Sequence, residues 1–265
     1  SANVLTMALD EVKVTKAIVE SYLDSFLKNT DVDVALVGAG PANLVAARRL
    51  AQAGLRAVVF EKRLSVGGGL WGGGMMFPRI VVQEGARRLL DEYCIKHKEH
   101  DSGYFVANAI ETASKLTAGA IDAGAEIVNL VTVEDVMIRD ADRIAGLVIN
   151  WTACEMAGIH VDPLSISAKC VIDGTGHEAA VCRIVQKKVC CEGQSRFQVK
   201  GERSMWADVG EKTVVEMTQE VYPGLFVAGM AAAAVFAGPR MGPIFGGMLL
   251  SGEKAARLVI EKLAQ

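Results

Sequence analysis

Apolar and polar positions change period several times along the chain. Over residues 10–27 the apolar side chains Val12, Val14, Ala17, Ile18, Tyr22, Leu23, Phe26 and Leu27 recur at helical spacing with charges opposite them, which predicts an amphipathic N-terminal helix. A compact apolar run at 33–37 then stops at Gly38-Ala39-Gly40. The helical spacing of 43–53 and the β-branched run at 57–60 complete a strand–helix–strand unit. Residues 67–74 are so rich in glycine that they read as loop. Residues 75–78 lead from there into a helix-like stretch at 83–93.

Further on, 109–123 reads as a helix and 126–130 as a strand. Residues 133–138 and 144–151 flank a polar turn at 140–143, which predicts a hairpin outside the parallel core. A short apolar strand at 170–173 ends in Gly174-Thr175-Gly176-His177, and another at 225–228 ends in Gly229-Met230. The glycine-rich turn at 238–247 precedes a closing helix at 248–263. No repeat or linker divides residues 1–265, so a single two-lobed domain is expected.

Composition narrows the class. Of 265 residues 51% are hydrophobic and 22% charged, with 27 Gly and 6 Pro, which excludes collagen, coiled coil and a disordered chain. A net charge of −3 supplies no field for nucleic acid or an anionic membrane surface, so the expected partners are small molecules. No basic n-region with an apolar core opens the chain and no stretch is long enough to span a bilayer; a cytoplasmic protein is expected. Cys94, Cys154, Cys170, Cys182, Cys190 and Cys191 form no Cys-x-x-Cys pair and read as free thiols.

The first candidate chemistry is dinucleotide binding. Gly38 and Gly40 stand between a strand and a helix, where backbone amides can face a pyrophosphate without an intervening Cβ. Glu61 ends the next strand at about the 20-residue distance from which an acid receives ribose hydroxyls. Asn43 replaces the third glycine of the fingerprint, and Gly67-Gly68-Gly69 adds a second flexible backbone surface. The element order resembles an α/β fold of the glutathione-reductase type: an FAD/NAD(P)-binding, Rossmann-like sheet with a small β-rich lobe.

The second candidate lies later in the chain. His160-Val161-Asp162-Pro163 and Gly174-Thr175-Gly176-His177 are polar points between apolar segments. From spacing alone, Asp162 and His177 are either ligands of Fe(II), Mn(II) or Zn(II) or else surface or hydrogen-bonded loop residues. Arg240, in an apolar glycine-rich stretch, is either a carboxylate clamp or an exposed turn residue. Met230 reads as a packing residue. His97 and His100, among Lys and Glu, read as solvated.

The segments Gly-Gly-Gly-Leu-Trp-Gly-Gly-Gly-Met-Met-Phe (67–77), Asn-Trp-Thr (150–152), His-Val-Asp-Pro-Leu (160–164), Thr-Gly-His (175–177) and Gly-Pro-Arg-Met-Gly-Pro-Ile-Phe-Gly-Gly-Met (238–248) resemble those of the thiamine thiazole synthase family. The resemblance runs from about Ala17 to the C-terminus. It implies an enzyme that consumes NAD as substrate, joining it to glycine and sulfur to form an adenylated thiazole carboxylate with release of nicotinamide. His160 stands where the eukaryotic members carry a sulfur-donating Cys, so the chain resembles the archaeal branch, which takes sulfide, requires Fe(II) and turns over repeatedly.

Carried over motif by motif, the resemblance assigns Ala42, Glu61, Lys62, Gly69 and Val133 to the adenosine diphosphate part. His160, Val161, Asp162 and Met230 line the reacting end, with Asp162 and His177 as iron ligands and Arg240 on the glycine carboxylate. His160, Asp162 and His177 form the implied catalytic set. It also implies a homo-octamer. A flavin- or NAD-dependent oxidoreductase of the same fold, a dinucleotide sensor and a ribose bisphosphate isomerase are the competing readings.

Overall fold

The computed structural model describes residues 9–139, 142–189 and 198–265. Helix α1 (Glu11–Lys28) starts where the Asp10 carboxylate accepts the Val12 and Lys13 amides at 2.9 and 3.2 Å. It leads into strand β1 (Asp31–Val37), helix α2 (Pro41–Gln52) and strand β2 (Ala57–Glu61). A 3₁₀ turn at Gly68–Gly72 follows, then β3 (Arg79–Gln83), α3 (Glu84–Glu92), β4 (His97–Asp101), β5 (Tyr104–Asn108) and α4 (Ala109–Asp122).

The remaining elements are β6 (Glu126–Asn129), β7 (Val131–Arg139), β8 (Arg143–Trp151), α5 (Thr152–Ala157), β9 (Leu164–Asp173), α6 (Ala180–Val189), α7 (Ala207–Glu216), β10 (Glu220–Tyr222), β11 (Leu225–Val227), α8 (Met230–Phe236) and α9 (Gly246–Leu263).

The main sheet runs in the order β10-β11-β9-β1-β2-β6, and every pair in it is parallel except β10 with β11. Its central strands are apolar on both sides because both faces are covered. Val34, Leu36 and Val59 pack with α2, α4 and α9 on one face. Ala35, Val58 and Phe60 pack with the β7–β8 hairpin, α6 and α8 on the other. The parallel strands end together at Val37, Glu61 and Asp173, so the turns that follow them share one edge of the sheet. In a doubly wound α/β sheet that edge carries the ligand.

The β7–β8 hairpin lies outside the parallel core, as expected, and is joined to it where residues 146–149 of β8 pair antiparallel with residues 164–167 of β9. Strand β9 is therefore longer than the 170–173 core. Its first half pairs with β8, and its second half with β11 at Leu225–Val227. The separate β-rich element is an antiparallel sheet in the order β3-β5-β4. Strands β3 and β5 bury alternating apolar positions, Ile80 and Val82 in one and Phe105 and Ala107 in the other, whereas every position of β4 is polar or charged. Contrary to expectation, His97 of β4 is not solvated. Its ring is half-buried, packs edge-on against Phe105 at 5.7 Å and makes a 3.0 Å hydrogen bond to the Ile95 carbonyl.

The free cysteines are Cys94, which is exposed, and Cys154, Cys170 and Cys182, which are buried. Cys190 and Cys191 lie outside the described residues. Among the described residues no helix is long and apolar enough to cross a membrane.

Candidate active site

The glycine turn after β1 is held by close backbone approach. Gly38 has φ +87°, and a Cβ there would meet the Gly174 carbonyl oxygen at 2.8 Å. Gly40 caps α2, with Pro41 at its first position, where a missing amide hydrogen costs nothing. Ala42 is buried in the first turn, and Gly252 of α9 sits so close that a Cβ would lie 2.0 Å from the Ala42 carbonyl oxygen. The helix that presents its N-terminus to the ligand edge is thus pinned from behind by a glycine near the other end of the chain.

Asn43 does the work of the missing third glycine by another route. Its Nδ2 donates to the carbonyls of Val37 and Gly38 at 2.9 and 2.8 Å, tying the turn to the helix. Room for it comes from Gly174.

Glu61 is buried at the end of β2 and faces this turn. Its Oε2 accepts the Ala39 amide at 2.7 Å and its Oε1 accepts the Arg63 amide at 2.8 Å. A carboxylate oxygen can accept more than one hydrogen bond, so both retain capacity for hydroxyl donors. Lys62 pairs with Glu178 at 2.9 Å, and the Lys62 carbonyl accepts Thr152 Oγ1 at 2.8 Å, joining β2 to the start of α5. Gly69 lies exposed in the 3₁₀ turn, with open space where a Cβ would be. Val133 is half-buried in β7 opposite Ile149. Met230 is buried at the start of α8 against Val214, Ala233 and Met241, the packing role its sequence context predicts.

His160 and Asp162 lie in the exposed connection between α5 and β9. It is fastened through Val161, whose carbonyl accepts Asn150 Nδ2 at 3.0 Å. Among the described residues neither His160 nor Asp162 has a hydrogen-bond or ion-pair partner, and no group of three or more His, Cys, Asp and Glu side chains is placed to hold a metal.

His177 follows β9 in a short 3₁₀ turn that buried Asp173 braces. Asp173 Oδ1 accepts the Thr175 amide and hydroxyl, and Oδ2 accepts the Cys182 amide. The partner of His177 is Glu202, whose Oε1 lies 2.6 Å from Nδ1. The other Glu202 oxygen lies 3.9 Å from Arg240 Nε. The structure thus brings His177 and Arg240 to one carboxylate. No motif in the sequence marked Glu202, which stands alone in a polar stretch.

Glu211 of α7 was also silent in the sequence. It is buried against the N-terminus of α9, where Oε1 accepts the Gly247 amide at 2.7 Å. Burial pushes its carboxyl up to about 7, against the opposing pull of the Gly247 amide.

A parallel sheet with a glycine turn, helix N-terminus and acidic strand end at one edge defines an FAD/NAD(P)-type dinucleotide-binding fold. A geranylgeranyl bacteriochlorophyll reductase-like protein from Thermoplasma acidophilum shares it at TM-score 0.56 and 16% identity, over 88% of this chain and 79% of its own. The crystal structure of Thermovibrio ammonificans THI4 matches far more closely, at TM-score 0.94 and 44% identity over 98% of this chain and 100% of its own.

The chain belongs to the Thi4 family, whose model matches residues 15–245. The thiamine thiazole synthase of Methanothrix thermoacetophila is 74% identical over 98% of this chain and 99% of its own length, and that of Pyrococcus furiosus 52% identical over 96% and 99%. These matches support a thiamine thiazole synthase function, and with it an enzyme of thiamine biosynthesis.

Proposed function

We propose that the chain converts NAD, glycine and sulfide to adenosine diphosphate thiazole carboxylate, releasing nicotinamide, with Fe(II) and over many turnovers. The observation that carries the sulfide reading is the exposed His160-Val161-Asp162 loop, which offers an imidazole and a carboxylate but no sulfur. The cysteines nearest in sequence, Cys154 and Cys170, are buried. Burial pushes the Cys170 thiol up to about 11, far from the thiolate that sulfur donation needs.

Each part of the substrate has a matching group. The Gly40 amide and the first-turn amides of Ala42 and Asn43 at the start of α2 receive the pyrophosphate, and the spare lone pairs of Glu61 receive ribose hydroxyls. Lys62 exchanges its exposed Glu178 partner for the adenosine diphosphate moiety, which Ala42, Gly69 and the Val133 backbone bound. Once nicotinamide has left, the ribose opens to its C1 aldehyde and isomerises to the C2 ketone, with which glycine condenses as an imine with loss of water. Arg240, largely exposed, clamps the glycine carboxylate. His160 carries protons at the reacting end, a role for which an imidazole offers both a donor and an acceptor nitrogen. Val161 and Met230 enclose that end.

The donor set fits Fe(II). Asp162 has an unengaged carboxylate, and His177, with Nδ1 turned to Glu202, leaves Nε2 outward. When bound there, Fe(II) supplies a Lewis acid and a template for glycine and sulfide.

The homo-octamer is proposed with it. Apart from Phe26, α1 buries none of its apolar side chains: Val12, Ile18 and Leu27 are each more than 60% exposed. Such a stripe is a contact surface for further copies.

The test is anaerobic incubation with NAD, glycine, sulfide and Fe(II), followed by mass spectrometry of the released small molecules. Adenylated thiazole in excess of one per subunit is expected. Nicotinamide without thiazole, or a tightly bound yellow flavin after purification, overturns the reading.

A further inference from the structure

We propose that Glu202 is a positioning residue that fixes the imidazole of His177 in its Nδ1–H tautomer, and so presents Nε2 as the ligating nitrogen beside the Arg240 clamp. This rests on the reading of His177 as a metal ligand, and extends it to a residue that has no part in the motifs.

The geometry is direct. A carboxylate only accepts hydrogen bonds, so the 2.6 Å contact between Glu202 Oε1 and His177 Nδ1 requires the proton on Nδ1. Imidazole free in water has no such fixed tautomer, and a hydrogen bond at one ring nitrogen decides which of the two is left to ligate. The His177 side chain is 59% exposed whereas that of Glu202 is only 13% exposed, so the carboxylate is the fixed member of the pair.

The backbone around Glu202 explains why it is fixed. The Gly201 amide donates to the Ala234 carbonyl at 2.9 Å, at the end of α8, and the Arg203 amide to the Gly238 carbonyl at 2.9 Å. The Arg240 amide returns a 3.3 Å bond to the Arg203 carbonyl. The segment that carries Glu202 is therefore laced to the segment that carries Arg240, and its second oxygen stands 3.9 Å from Arg240 Nε. One carboxylate sets the separation between the metal-facing nitrogen and the carboxylate-binding guanidinium. That separation governs whether an amino acid can reach both through its two ends.

Two readouts test this in the full-length protein. In the metal-free protein, two-bond ¹H–¹⁵N spectra at about pH 8.5, above the ordinary imidazole range, report the ring tautomer. His177 is expected as Nδ1–H in the parent and as mainly Nε2–H in Glu202→Ala, with Glu202→Gln, which keeps an acceptor oxygen, nearer the parent. In the second, Co(II) is titrated as a probe through its visible absorption. Loss of an outer-shell partner of this kind is expected to weaken binding roughly 10- to 100-fold in Glu202→Ala, with partial recovery in Glu202→Gln. An Nε2–H tautomer in the parent, or Co(II) binding unchanged in Glu202→Ala where His177→Ala abolishes it, overturns the proposal. Unchanged Co(II) binding in His177→Ala overturns the metal reading instead, and leaves the tautomer result to decide the role of Glu202.

Discussion

Asn43 and Gly174 share one space. A Cβ on Gly174 would lie 2.4 Å from the Asn43 carboxamide, which is fully buried and holds the Val37 and Gly38 carbonyls. The turn after β1 and the turn after β9 are thereby locked together at the ligand edge, and the side chain at position 43 requires the absence of one at 174.

Gly174→Ala should therefore destabilise the protein by about 1–3 kcal/mol, because the buried Asn43 carboxamide must move off the carbonyls it holds. Asn43→Gly, which restores the usual fingerprint, should also destabilise, since it leaves a void and takes the side-chain donor from the Gly38 carbonyl, while the Val37 carbonyl keeps only the Gly174 amide. Chemical denaturation of both variants checks this; a stability equal to the parent for Gly174→Ala would contradict the packing described.

Asp162→Ala and His177→Ala should each lose iron and thiazole formation while keeping NAD binding, because Gly38, Gly40 and Glu61 lie on other elements. Metal analysis with NAD titration by calorimetry separates the two functions. Full activity in either variant would remove that residue from the site.

Arg240→Ala should raise the KM for glycine by about 10- to 100-fold, the worth of a charge-assisted hydrogen bond or two, with NAD affinity unchanged. Initial-rate kinetics varying glycine and NAD separately would show it. Equal effects on both substrates would point to a collapsed loop.

Glu211 should impose a pH dependence on stability. Its folded pKa of about 7 lies above the ordinary carboxyl value of 4.5, so the folded chain binds the proton more tightly. Its contribution is greatest below about 4.5, falls as pH rises through the 4.5–7 window, and levels off above it. The loss is roughly 3–4 kcal/mol at about 1.4 kcal/mol per pH unit. Denaturation midpoints across that window should fall less steeply in Glu211→Gln, which cannot ionise and keeps an acceptor for the Gly247 amide. An unchanged slope would show that Glu211 titrates normally.

The exposed face of α1 should mediate assembly. Ile18→Glu combined with Leu23→Glu should lower the molar mass seen by light scattering, with little effect on the fold of one chain. An unchanged mass would place the contact elsewhere.

The elements whose signal is local are legible in the sequence: the strand–turn–helix at 37–41, Glu61 at a strand end, the closing helix α9 and the amphipathic helix α1. Hydrophobic period, glycine punctuation and strand ends are written in neighbouring residues, and the motifs at 160–164, 175–177 and 238–248 carried the family. What it left open depended on partners far apart in the chain. The β3-β5-β4 sheet is not legible because its strands are only five residues long and β4 is polar or charged throughout. The attachment of the β7–β8 hairpin was missed because a strand's period does not name its neighbour. Only the folded chain brings Asn43 against Gly174, Gly252 against Ala42, and His177 and Arg240 to Glu202. Those pairings are tertiary because a hydrogen bond or a close approach depends on distance in space, and sequence spacing encodes that distance only within a single helix, strand or turn.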